Sequence, residues 1–216
     1  NVRNNPADPS TTHLCNPDGG LKITTLPTTT ACRTRWNGLC RITINYEANI
    51  HPLWGVDRFV DADGDGVHDK DSTGADINHK CTSCHTTANA DGTVRVPAGD
   101  LDLTDGASDV DPDHFRSYEE LLSGDVGQTI DETGALVDEC IRFQVDPVTL
   151  VQTCVAFRQV AAPMSANGAN SSGRFFNTLE GASHKDFMSQ GELRLLSEWL
   201  DIGAQYYNDP FAAPED

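Results

Sequence analysis

The chain has 216 residues and a formal net charge of −18, with hydrophobic residues at 38% and 18 Gly and 11 Pro. That length supports one loop-rich domain with its own core, or two small ones. The acidic balance excludes a nucleic-acid partner, which needs a basic footprint, and no apolar run approaches the roughly 18 residues of a membrane-crossing helix.

Residues 1–30 are polar, with "NPADPSTT", "NPDGG" and "LPTTT", and read as an extended arm. The chain opens at Asn1 without a basic-then-apolar leader, so the expectation is an exported protein whose signal has been removed. Seven cysteines are present. Cys32 and Cys40 bound the short loop "CRTRWNGLC" and are expected to pair as Cys32–Cys40. Pairings of Cys15 with Cys32 or with Cys40 stay open. A left-over Cys15 points to an intermolecular bond and self-assembly. The domain reading is a disulfide-tethered arm over 1–40 and one domain over 41–216.

"RITINY" (Arg41–Tyr46) alternates β-branched and polar residues, as a short strand or a lead-in to a helix. Next, Ile50, Leu53 and Trp54 recur at helical spacing in "YEANIHPLW".

The acids then crowd together. In "DADGDGVHD", Asp61, Asp63, Asp65 and Asp69 fall at positions 1, 3, 5 and 9 of a calcium loop, and the Val67 carbonyl falls at position 7. Gly66 stands where such a loop turns sharply. Position 12 is Ser72 instead of Glu, so a full EF-hand fails. The spacing is closer to the short loops of thrombospondin type 3 repeats. The expectation is a structural calcium ion in an inserted loop over 57–76; a solvated acidic surface is the plain alternative.

"HKCTSCHTT" follows, containing Cys81-Thr82-Ser83-Cys84-His85. Thiols at i and i+3 project to one side of a helical turn. They can form thioethers with the two vinyl groups of a haem, and the next histidine then lies over the iron. Structural zinc needs a second pair of ligands at matched spacing, and the chain has no second C-x-x-C. A redox dithiol wants a βαβ setting, which is not evident. The expectation is one covalent c-type haem on Cys81 and Cys84, with His85 as the proximal axial ligand. Thioethers and disulfides both imply an extracytoplasmic compartment, periplasm or extracellular.

Asp91–Asp113 is loop-like, and "SYEELLSG" (Ser117–Gly124) is a short helix. Glu139–Val160 reads as a β-hairpin turning at Asp146-Pro147, with a cross-strand Cys140–Cys154 bridge. "AAPMSANGANSSG" is irregular. The last helix is signalled by the capping box of Ser189 and Glu192 and by Leu193, Leu196 and Leu200 on one face. Gly203 stands at its C-terminal cap. The distal ligand is expected in this C-terminal half. His184, just before the capped helix, ranks first, and Met164 is the alternative, with Met188 behind it.

Together, "INYEANIHPLW", "CTSCH", "PAGDLDLTDG", "SYEELL" and "GELRLLSEWLDIGAQYYNDPF" resemble monohaem cytochrome c domains. Related groups are the planctomycete-type cytochromes and the C-terminal haem domain of proteins related to the hydrazine synthase alpha subunit. The resemblance spans about residues 40–210. It implies a mainly α, cytochrome c-like helical haem domain with long loops, into which the calcium loop and the bridged hairpin (139–160) are inserted. It also implies haem attachment at Cys81 and Cys84, proximal His85 and distal His184. Hydrazine synthesis does not carry over, because this chain has a single C-x-x-C-H. The functional expectation is electron transfer to and from redox partner proteins. The alternatives are a haem building block of a filament or larger complex, and a haem enzyme with an open sixth site, working on peroxide or small nitrogen compounds.

Overall fold

The structure is a computed structural model, and it describes residues 28–181, 183–185 and 187–209. Cys15 and the arm before residue 28 lie outside the described residues.

Thr29 caps a one-turn helix, α1 (Thr30–Thr34), by accepting from the Cys32 amide at 3.3 Å. A Cys32–Cys40 disulfide closes the loop behind it. Two tight turns follow, Tyr46–Ile50 and His51–Gly55. Pro52 lacks an amide proton and breaks a continuous α-helix here. The Asn45 side chain instead accepts from the Ala48 amide at 2.9 Å. Ile50, Leu53 and Trp54 are nonetheless fully buried, so the helical spacing serves a core face without a regular helix.

Further along come α2 (Arg116–Leu122), β1 (Asp125–Val126), β2 (Gln128–Ile130), β3 (Leu136–Asp138), β4 (Cys140–Val145), β5 (Gln152–Phe157), β6 (Gln159–Val160), α3 (Gly173–Glu180) and α4 (Gln190–Asp201). The strands make three antiparallel two-stranded sheets, β1 with β6, β2 with β3 and β4 with β5.

This corrects the mainly α expectation. Among the described residues, helix of all types accounts for 29% and strand for 17%, and the fold is mixed. The cause lies in the stretch from Asp125 to Val160. Its Val, Ile, Thr and Phe content favours strands, and its turns are locked by Asp side chains. Asp131 accepts from Thr133 and from the Ala135 amide, while Gly134 takes a left-handed φ of 84°. The sequence reading found the Cys140–Cys154 hairpin, whose disulfide is formed, but missed β1, β2 and β3 and ran the hairpin on over β6, which pairs with β1 instead.

The three sheets meet at a closed backbone cycle. The Gly127 amide donates to Arg158, the Arg158 amide to Glu139, and the Glu139 amide to Gly127, at 2.7–2.9 Å. The Arg158 guanidinium binds the Glu139 carboxylate and reaches Asp100 at 2.7 Å. That contact pins the β-insertion to the loop that follows His85.

The core joins both ends of the domain. Tyr46 stacks on Tyr206 with ring centres 5.6 Å apart, and it also packs against Trp199 and Tyr118. Its hydroxyl donates to Ser117 Oγ at 2.9 Å and accepts from Trp54 Nε1 at 3.1 Å. A phenol buried this deeply needs both partners. Burial pushes its pKa far above the usual tyrosine value.

Candidate functional site

Cys81–Ser83 forms a 3₁₀ turn, and the His85 amide donates back to the Cys81 carbonyl at 2.9 Å. Cys81 is half-buried and Cys84 exposed, and both are free thiols. The rest of the motif's backbone is held by the loop that follows it. The Ala98 amide donates to Cys84 O and the Leu103 amide to His85 O, both at 3.0 Å. Arg95 also donates to Cys84 O.

The His85 ring is held by the backbone of Leu101 and Ala98. Its Nδ1 lies 3.2 Å from the Leu101 carbonyl. A carbonyl only accepts, so Nδ1 carries the proton in the Leu101 contact. Burial lowers the His85 pKa and favours the neutral imidazole that binds metals. Burial likewise pushes the Cys81 thiol up.

His184 comes from the segment between α3 and α4 and faces His85 across a cleft of about 250 Å³. The two ring centres are 6.1 Å apart, and their planes meet at 37°. A metal–imidazole bond of about 2.0 Å, plus about 1.2 Å from nitrogen to ring centre, puts two imidazoles on opposite sides of one metal about 6.4 Å apart. The observed spacing fits that requirement. The angle between planes is unconstrained, because each ring can turn about its own bond. Leu101, Pro163, Val160 and Phe175 give the cleft apolar walls, while Glu120 and Arg174 supply charge. Two imidazoles, apolar flanks and two thiols on the turn that carries one imidazole form a donor set that could hold an iron–porphyrin.

Other features hold the site together. Phe187 stacks on His79 with ring centres 3.9 Å apart and touches His184 at 5.5 Å. The chain just before the cysteine motif therefore braces the segment that carries His184. The Ser189–Glu192 capping box is formed. Glu192 also binds the Arg58 guanidinium at 2.8 Å, deep in the protein. Arg58 in turn donates to the carbonyls of Leu53 and Val56 and lies 4.0 Å from Cys81 Sγ. The sequence reading recognised the capping box but not Arg58, Arg158, Glu120 or Arg174. Their partners are 58 and 134 residues away for Arg158 and Arg58, and no local pattern announces them.

The remaining ligand candidates are placed elsewhere. Met164 is 3% exposed and packs in the core, with its amide donating to Leu121 O, inside the stretch read as irregular. Met188 is also buried in the core. His51 hydrogen-bonds Ser117 at 3.0 Å, His114 stacks on Tyr206 at 4.1 Å, and His68 stacks on Phe59 at 4.3 Å.

In the acidic loop, carboxylate oxygens of Asp61, Asp63 and Asp65 lie within 4.8 Å of one another. Asp61 accepts from the amides of Gly64, Asp65 and Gly66. Gly64 and Gly66 have left-handed φ values of 74° and 83°, which lets the loop curl around that carboxylate. Asp69 turns toward the Ala62 amide at 3.1 Å. Three convergent exposed carboxylates are a hard-oxygen donor set suited to calcium.

Compared with family models, curated proteins and solved structures, the chain matches none.

Proposed function

We propose that the chain is an extracytoplasmic monohaem c-type cytochrome that carries single electrons between redox partner proteins. The observation that carries this reading is the opposition of His85 and His184 at 6.1 Å, with the free Cys81 and Cys84 thiols on the turn that bears His85. A bound haem c would supply a one-electron Fe(III)/Fe(II) couple. The chain's own residues would do the rest: Cys81 and Cys84 would hold the group covalently, and His85, positioned by Leu101 O, and His184 would bind its iron. The Arg58–Glu192 pair and the His79–Phe187 stack keep those segments in register.

Two imidazole ligands favour a lower reduction potential than imidazole with thioether. They also leave no open position for a substrate, which favours electron carriage over peroxide or nitrogen chemistry. Two disulfides among the described residues suit an oxidising compartment, and no helix there is long and apolar enough to cross a membrane. The net charge of −18 suits a redox partner with a basic docking face. The Asp61–Asp63–Asp65 loop is read as a structural calcium site bracing the approach to the cysteine motif.

The test is the exported protein made with the c-haem attachment machinery present. One haem per chain, bound through Cys81 and Cys84 and low-spin in both oxidation states without the near-infrared band of methionine ligation, is the expected result. No covalent haem would remove the cofactor reading. A five-coordinate high-spin spectrum would remove the electron-carrier reading and favour catalysis.

A further inference from the structure

Glu120 stands on α2 in a wall shared by two clefts. One is the His85–His184 cleft, and the other is an outer groove of about 140 Å³ that includes Ser108, Arg116 and Gln128. Ser123 and Asp125 belong to the same wall. The carboxyl is half-buried and mostly meets like charge. Asp125 at the start of β1 and Asp102 in the loop after Leu101 both repel its ionised form, although the Asp102 amide donates to it. Arg116, one turn earlier on α2, is the attractive group acting on it, but its guanidinium is divided between Asp102 and Asp109, at 3.8 Å each.

The other charges nearby are engaged elsewhere or face the cleft. Glu119 turns to His114 at 3.5 Å, and Asp100 is held by Arg158 at 2.7 Å. Arg174 on α3 lines the central cleft. Burial first, then Asp125 and Asp102, push Glu120 up to about 7. A negative charge added in the central cleft would oppose ionisation further in this desolvated setting.

We propose that Glu120 is a redox-linked proton acceptor, taking a proton from the outer groove when the iron centre between His85 and His184 is reduced and returning it on oxidation. The inference rests on the haem reading above. One electron arrives from the redox partner and one proton from a hydronium ion in the outer groove: its O–H bond breaks to leave water, an O–H bond forms on Glu120, and the local net charge is unchanged. Coupling is reciprocal: a protonated Glu120 makes reduction easier to the same degree that reduction tightens the proton.

The experiment is spectroelectrochemical titration of the holoprotein from pH 5 to 9, with Glu120→Gln and Asp125→Asn beside it. Haem content is checked by pyridine haemochrome. In the wild type, the reduction equilibrium is expected to fall with rising pH through the neutral range. The slope should approach tenfold per pH unit, about 59 mV for one electron. Glu120→Gln should flatten that slope. Asp125→Asn, which removes one repelling charge, should move the window to lower pH. A pH-independent wild-type potential with haem bound overturns the proposal and spares the haem reading. A slope that survives in Glu120→Gln also overturns it, because the proton then sits elsewhere. A protein without haem overturns both.

Discussion

Arg58 and Glu192 form a buried ion pair at 2.8 Å, with side chains 8% and 1% exposed, across 134 residues of chain. The pair connects the turn at Leu53, the vicinity of Cys81 and the cap of α4. Removing one member strands a desolvated charge, which costs about 3–5 kcal/mol, whereas replacing both with neutral groups is far milder. Arg58→Met should therefore destabilise strongly in denaturant unfolding, and Arg58→Met combined with Glu192→Gln should recover part of that loss. Additive losses in the double variant would show that the pair acts only through packing.

On the proposed haem reading, a distal His184 predicts a clean spectroscopic split. His184→Ala should keep the covalent haem and turn the low-spin spectrum high-spin. Met164→Leu should stay low-spin and change only stability, by less than about 1.5 kcal/mol as a volume-conserving core swap. A high-spin Met164→Leu protein, with His184→Ala still low-spin, would reverse the assignment.

At the sheet junction, the Arg158 guanidinium lies directly over the Gly127 α-carbon, where an added Cβ would collide with it. Gly127→Ala should push the arginine off Asp100 and Glu139 and cost about 1–3 kcal/mol, the usual range for overpacking. In an Arg158→Ala background the same substitution should cost much less. Equal costs in both backgrounds, measured as urea midpoints, would mean that the strain lies in the backbone.

These sites differ in how far the sequence announces them. The capping box and Gly203, whose φ is 95°, follow from residues a few positions apart, so α4 was readable to within a residue. The Cys81–His85 turn and the curl of the Asp61 loop are local in the same way. What escaped was long-range. Tyr46 meets Tyr206, Arg58 meets Glu192 and Arg158 meets Asp100 only after folding. The short strands β1, β2, β3 and β6 hold two or three residues each, too few for period-2 alternation to appear. The mainly α expectation came from the resemblance and failed partly for that reason: the strand signals lay below the length at which pattern can be read, and the helical spacing at Ile50, Leu53 and Trp54 gave tight turns instead of a regular helix.

Glu120 also predicts a pH dependence of stability. Its folded pKa is raised to about 7 from an ordinary carboxylate value. The folded state thus prefers the protonated acid, so its contribution is fully present below the unfolded value. That contribution is lost as pH rises through the folded value. Relative to Glu120→Gln, the wild type should lose stability from about pH 4.5 to 7 and then run parallel to it. Thermal melts at matched pH values check this. Curves parallel over the whole range would show that the carboxyl is solvated in the folded state.

The acidic loop predicts a calcium-dependent melt. Asp61, Asp63 and Asp65 hold three carboxylates within 4.8 Å with no cation among their described hydrogen-bond partners, and mutual repulsion opposes that geometry. An ion that binds only the folded loop stabilises by about 2.7 kcal/mol at one hundred times its dissociation constant. For a domain of this size that corresponds to roughly 5–10 °C in melting temperature. Calcium against chelator should produce such a shift in the wild type. Asp63→Asn should reduce it sharply, because one of three convergent charges is gone while the turn, held mainly by Asp61, is kept. A melting temperature indifferent to both calcium and chelator would leave the loop as an acidic turn held by its own amides.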